Sequence, residues 1–87
     1  MCIKHYVYVI HSKAMDCYYK GYSQHPENRL AQHNAAQSKF TSRANDWELV
    51  FKEEFPTKKE ALIRERVLKK YSRSQIEYLI NSDRNML

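Results

Sequence analysis

Glycine is nearly missing from this chain: among 87 residues there is one, Gly21, with two prolines and two cysteines. Cys2 and Cys17 are too few for a disulfide framework, and without a secretory signal both are expected as reduced thiols. Structural zinc is equally unsupported, because Cys17, His25 and His33 lie too far apart for the close ligand spacing such sites use. There is no internal repeat, no low-complexity tract and no apolar run long enough to span a bilayer. The opening MCIKHYVYVIHS is apolar in patches, but Lys4, His5 and His11 interrupt it and it has no small-residue cleavage site. It does not read as a signal peptide, and the chain is expected in the cytoplasm. Residues 1–87 suit one domain, with a small core that hides only about 60 to 65% of the surface exposed by the unfolded chain.

Positive charge is what the chain has in excess. Fifteen Lys and Arg against ten Asp and Glu give a formal charge of +5 and a pI near 9.3, which favours a polyanionic partner through counterion release. His5 to Ser12 and Cys17 to Tyr22 are rich in β-branched and aromatic residues and read as a hairpin closed by SKAMD. Pro26 opens a helix that runs to about Asn34, and the aperiodic AAQSKFTSRAND after it reads as a surface loop. In Trp47 to Phe55, Trp47, Leu49 and Phe51 alternate with Glu48, Val50 and Lys52, as in a third strand. Thr57–Glu60 and Ser74–Glu77 both have the capping-box spacing, so helices are expected over about Lys58 to Tyr71 and Gln75 to Asn81. The order ββαβαα implies an α+β domain: a small antiparallel three-stranded sheet flanked by helices.

Some polar positions do not suit a plain core. At 100° per residue, Glu65 falls within the arc of Ala61, Leu62 and Leu68, where a carboxylate needs a cation, donors or a wet cleft; Arg66 or Lys69 could serve as its partner. Arg29 and His33 are one helical turn apart beside Leu30 and Pro26. The guanidinium suits a phosphate and the imidazole suits proton transfer, although both also fit a solvated helix face. Five of the seven tyrosines lie in the hairpin. If Tyr8 opposes Tyr19, both phenols emerge on one face with Gly21 beside them, and the missing side chain leaves a hollow for a ligand or another backbone. The alternative is cross-strand aromatic packing with a bulge glycine.

Together these positions resemble the GIY-YIG nuclease family, and the likeness covers about His5 to Leu79. Tyr6-Val7-Tyr8 stands for the first motif and Tyr19-Lys20-Gly21 for the second, with eleven residues from Tyr8 to Tyr19. Arg29, with His33 and Asn34 after it, falls at the arginine of the first helix, and Glu65 at the metal-binding glutamate. The chain looks closest to stand-alone single-domain bacterial members. The resemblance implies a metal-dependent DNA endonuclease, structure- or damage-directed, with low sequence specificity. Glu65 would hold Mg²⁺ or Mn²⁺, Arg29 would offset transition-state charge, and Tyr8 and Tyr19 would orient the attacking water. One phenol would take the proton, which requires a lowered pKa, with His33 as a competing base. Lys13, Lys20, Lys39 and Arg43 would contact DNA phosphates, with Gly21 giving the backbone close approach. Selectivity would then come from DNA shape or a protein partner.

The sequence departs from the family pattern in places. Tyr6 replaces the first-motif glycine, Lys20 sits where an apolar residue is usual, Tyr22 follows Gly21, and Asn81 is an insecure match for a C-terminal asparagine. The rival function is a non-catalytic nucleic-acid-binding module in which tyrosines stack on bases.

Overall fold

In the computed structural model, residues 4–35 and 43–87 are described. Strand β1 spans His5–Ser12, β2 Cys17–Ser23, and β3 Glu48–Phe55; helix α1 covers Pro26–Asn34, α2 Lys58–Lys69, and α3 Arg73–Ile80. The expected ββαβαα order therefore holds. The sheet order is β2-β1-β3, with both pairings antiparallel.

The central strand is apolar on both faces because both are covered. Val7 and Val9 pack with Phe51, Ala61 and Leu68, and with Ile76 and Leu79 of α3. Tyr8 and Ile10 face the other way, into a cluster with Trp47 that Leu30 of α1 and Tyr19 adjoin. Helix α1 thus lies on one face of the sheet, and α2 and α3 lie on the other.

Strand β3 departs from the expected alternation. A bulge sits where the partners of Val9 and Ile10 jump from Phe51 to Leu49, and an extra residue in a strand reverses the facing of the residues beyond it. Phe51 consequently joins the α2 face, while Leu49 and Trp47 join the α1 face. Simple periodicity had placed all three together.

Helix α2 begins as expected, with the Thr57 hydroxyl accepting from the Glu60 amide at 3.2 Å, but it stops at Lys69 rather than Tyr71. The early stop frees Ser72 for an extended backbone, and Ser72, not Ser74, caps α3. Its hydroxyl accepts from Gln75 N at 3.3 Å, and the Gln75 side chain accepts from Ser72 N at 2.7 Å. Starting earlier brings Arg73 onto the hairpin turn, where it meets the Asp16 carboxylate at 2.7 Å. Asp16 holds φ 49°, a left-handed conformation that Asp tolerates better than most residues. At the far edge, Asn85 Oδ1 accepts from Lys52 N at 3.3 Å and Lys52 O accepts from Met86 N at 3.0 Å, partly covering an otherwise unpaired strand edge.

Candidate active site

The cluster begins with a register. Tyr8 stands opposite Gly21, and Tyr19 opposite Ile10. The expected Tyr8–Tyr19 pairing is therefore shifted by two residues, which keeps both phenols on the α1 face but changes what the glycine is for. A Cβ built on Gly21 would lie 2.6 Å from both Cζ and Oη of Tyr8. The hollow at Gly21 is thus filled from within, by the Tyr8 ring, and Gly21 is buried. Its assignment as a DNA contact is corrected on that ground.

Lying across Gly21, the Tyr8 side chain is only 1% exposed and ends on His33, with Oη 2.9 Å from Nε2. His33 is fully buried on α1, and Tyr19 meets the same imidazole edge-on at 5.0 Å between centroids. Asn34 holds that end of the helix: Trp47 N donates to its Oδ1 at 2.8 Å, and its Nδ2 donates to Trp47 O at 3.1 Å. Nothing in the sequence beyond the bare proximity of Asn34 to His33 signals this double bond. Arg29 lies one turn before His33, half-buried, with its guanidinium on the Gln32 side chain.

Burial holds the Tyr8 phenol above its usual range; the charges of Tyr19 and Glu65 push the same way, while Arg29 opposes them by hydrogen bonding and charge. The expectation of a lowered tyrosine pKa is thereby reversed at Tyr8. His33 is pushed down to about 4, first by burial and then by the Arg29 charge, so it is neutral near pH 7. A guanidinium can only donate. The Tyr8 oxygen can therefore only accept from Arg29, while its O–H can donate to His33 Nε2 when the imidazole proton sits on Nδ1.

This arrangement has a pH signature. The unfolded chain takes up the imidazole proton near pH 6.5, the folded chain only near 4. Stability contributed by neutral His33 is therefore complete above the unfolded value and is lost as pH falls toward the folded one. By pH 5 the loss is about 2 kcal/mol. Urea unfolding of the parent and of His33→Gln at neutral pH and near pH 5 tests this. The parent should lose about 2 kcal/mol more than the variant; equal losses would show that the imidazole is not held neutral.

Glu65 projects from α2, on the opposite face, yet its charge is felt at Tyr8. The link runs around the open edge of the sheet. Its carboxylate is 3.8 Å from Lys69 Nζ, and the side chain retains 20% exposure. Lys69 in turn shares a groove of about 300 Å³ with Tyr18, Tyr19 and Lys20. At the β2 edge, side chains from both faces of the sheet therefore meet. Among the described residues no group of three or more His, Cys, Asp or Glu converges. One partly exposed carboxylate suits Mg²⁺, which keeps most of its waters, and does not suit zinc, which needs several protein ligands.

The structure thus gathers Tyr8, Tyr19, Arg29 and His33; Glu65 reaches the groove walled by Tyr19 and Lys20 through its contact with Lys69. Lys13 and Arg43 are exposed and line no part of that groove, and Lys39 lies outside the described residues. Asn81 caps the end of α3, where its side chain bonds Glu77 O at 3.0 Å.

Fold and cluster define a small α+β domain with a tyrosine, histidine and arginine site built against a three-stranded sheet. The GIY-YIG catalytic domain family matches residues 4–78, and the chain belongs to that family, one of endonucleases. A UPF0213 protein of Natronomonas pharaonis is 40% identical over 81 residues, covering 92% of this chain and 94% of its own length. One from Staphylococcus haemolyticus is 41% identical over 73 residues, covering 83% and 88%. The solution NMR structure of a UPF0213 protein from Bacillus halodurans is similar at 30% identity and a TM-score of 0.59, over 93% of this chain and 86% of that one. Among the described residues, no helix is long and apolar enough to cross a membrane.

Proposed function

We propose that this protein is a metal-dependent endonuclease that hydrolyses DNA phosphodiester bonds, directed by DNA structure or damage rather than by sequence. The observation that carries the reading is the buried Tyr8–His33 hydrogen bond, flanked by Tyr19 and Arg29, in a chain of the GIY-YIG family. A satisfied pair of this kind supplies a proton acceptor protected from bulk water, which a plain aromatic core does not need.

Tyr19, the half-buried phenol in the groove wall, orients the attacking water. As the water oxygen forms its bond to phosphorus, a water proton passes to Tyr8 Oη, and the Tyr8 proton passes to His33 Nε2. The bond from phosphorus to the leaving oxygen breaks, and that oxygen is protonated from solvent. His33 is a weak base, first because it is buried and second because of the Arg29 charge. Phosphate bound at Arg29 offsets that charge and raises the basicity of the imidazole when substrate is present. Arg29 also faces the charge that develops on the phosphoryl oxygens. Glu65 would hold the Mg²⁺ or Mn²⁺ ion, which when bound withdraws charge from the leaving oxygen.

The test is nicking of supercoiled plasmid in Mg²⁺, in Mn²⁺ and in EDTA, with Arg29→Ala beside the parent. Cleavage is expected in the metals only. Losing one preorganised donor to the transition state should slow Arg29→Ala by about 10² to 10³. A parent that leaves plasmid intact in both metals would overturn catalysis and favour a binding module instead.

A further inference from the structure

Among the described residues many cations are paired, while Lys13, Lys20, Arg43 and a cluster on α2 are in no ion pair. Lys4 pairs with Glu54, Lys52 with Glu27, Arg64 and Arg84 with Glu53, and Arg73 with Asp16 and Glu77. By contrast, Lys58, Lys59, Arg66 and Lys70 have no acidic partner among the described residues, and all four are exposed. At about 100° per residue they fall, with Lys69, within about 120° of arc on α2 and its C-cap. Glu60 lies on the other side of the helix, where it cannot neutralise them. The one acid bordering the stripe is Glu65, already claimed by Lys69.

The stripe is also shaped. Lys58, Lys59, Leu62, Ile63 and Arg66 line a groove of about 510 Å³, and further along α2 Lys69 opens onto the groove that holds Lys20 and Tyr19. Lys58 and Lys69 are separated by about 16 Å along the axis at 1.5 Å per residue. This is the rise of about five phosphates in one strand of duplex DNA. Like charges packed this closely on one helix repel each other, and a polyanion laid across them removes that cost.

From these observations we infer that the exposed face of α2 is the track on which the DNA backbone lies, leading a strand from Lys58 through Arg66 and Lys69 to the groove at Tyr19. The sequence placed the phosphate contacts in the hairpin turn and the central loop; the unpaired charge on α2 moves the main contact to a rigid helix. The track rests on the DNA reading above but does not require cleavage.

The experiment is binding of a short fluorescein-labelled DNA duplex in EDTA, followed by anisotropy over a series of salt concentrations. Each lost phosphate contact lowers the log–log salt slope by about 0.9. The triple variant Lys58→Ala, Lys59→Ala, Arg66→Ala should therefore lose roughly 2 to 3 from the slope and bind at least about tenfold more weakly near 0.1 M salt. Lys4→Ala and Arg84→Ala, which remove paired cations, should leave the slope unchanged. All five positions are exposed, and thermal melting of each variant confirms the fold. A triple variant with the parental slope, or controls that lose as much as the triple, would overturn the track. If the parent cleaves in Mg²⁺ while the triple binds normally, the track alone is wrong. If the slope falls as expected but no metal supports cleavage, the nuclease reading alone is wrong.

Discussion

Glu65→Ala is expected to leave supercoiled plasmid intact in Mg²⁺ under conditions where the parent nicks it. A divalent ion supplies several kcal/mol of charge stabilisation at a phosphoryl centre. At about 1.4 kcal/mol per decade, its loss should slow the reaction about 10³-fold or more. The effect falls on one residue because no other carboxylate, His or Cys cluster among the described residues could take over the ion. DNA binding in EDTA should be unchanged or tighter, since the substitution removes a negative charge and releases Lys69 from its 3.8 Å contact. Lost cleavage with retained binding identifies Glu65 as a metal anchor. Parental nicking by the variant would show that the carboxylate serves only its lysine.

The second large effect is structural. Gly21→Ala places a methyl group 2.6 Å from Tyr8 Cζ and Oη. An exposed ring would swing aside at little cost, but Tyr8 is 1% exposed and tied to His33 at 2.9 Å. Either β2 moves away from β1 or the phenol leaves its partner, and overpacking of this kind costs about 3 kcal/mol. In a domain of this size the melting temperature should fall by about 10 °C or more. A double-mutant cycle isolates the cause: in a Tyr8→Ala background the same glycine substitution should cost about 1 kcal/mol or less. If the penalty is the same in both backgrounds, the glycine matters for backbone reasons and not for the ring above it.

How much of this the sequence disclosed depended on the range of the interaction. Local chemistry was legible: Pro26 and Thr57 mark the helix starts observed at Pro26–Asn34 and Lys58–Lys69. Where two equally good local signals overlapped, as at Ser72 and Ser74, the outcome rested on where α2 ends, which packing decides. The register of the hairpin and the bulge in β3 are long-range facts. A two-residue shift keeps every side chain on its face, so the pattern of tyrosines could show that Tyr8 and Tyr19 share a side but not that Tyr8 covers Gly21. The candidate set Tyr8, Tyr19, Arg29, His33 and Glu65 was named through the resemblance, and the structure brings Tyr8 and Tyr19 onto the His33 ring. The direction of the Tyr8 shift was not, because it comes from burial between α1 and the sheet, which no motif encodes.

Asn34 spends both polar atoms of its amide on the Trp47 peptide, one residue after His33. It works as a splice that joins the end of a helix to the start of a strand without relying on the chain between them. The imidazole is therefore held to the sheet twice, through Tyr8 and through its helical neighbour.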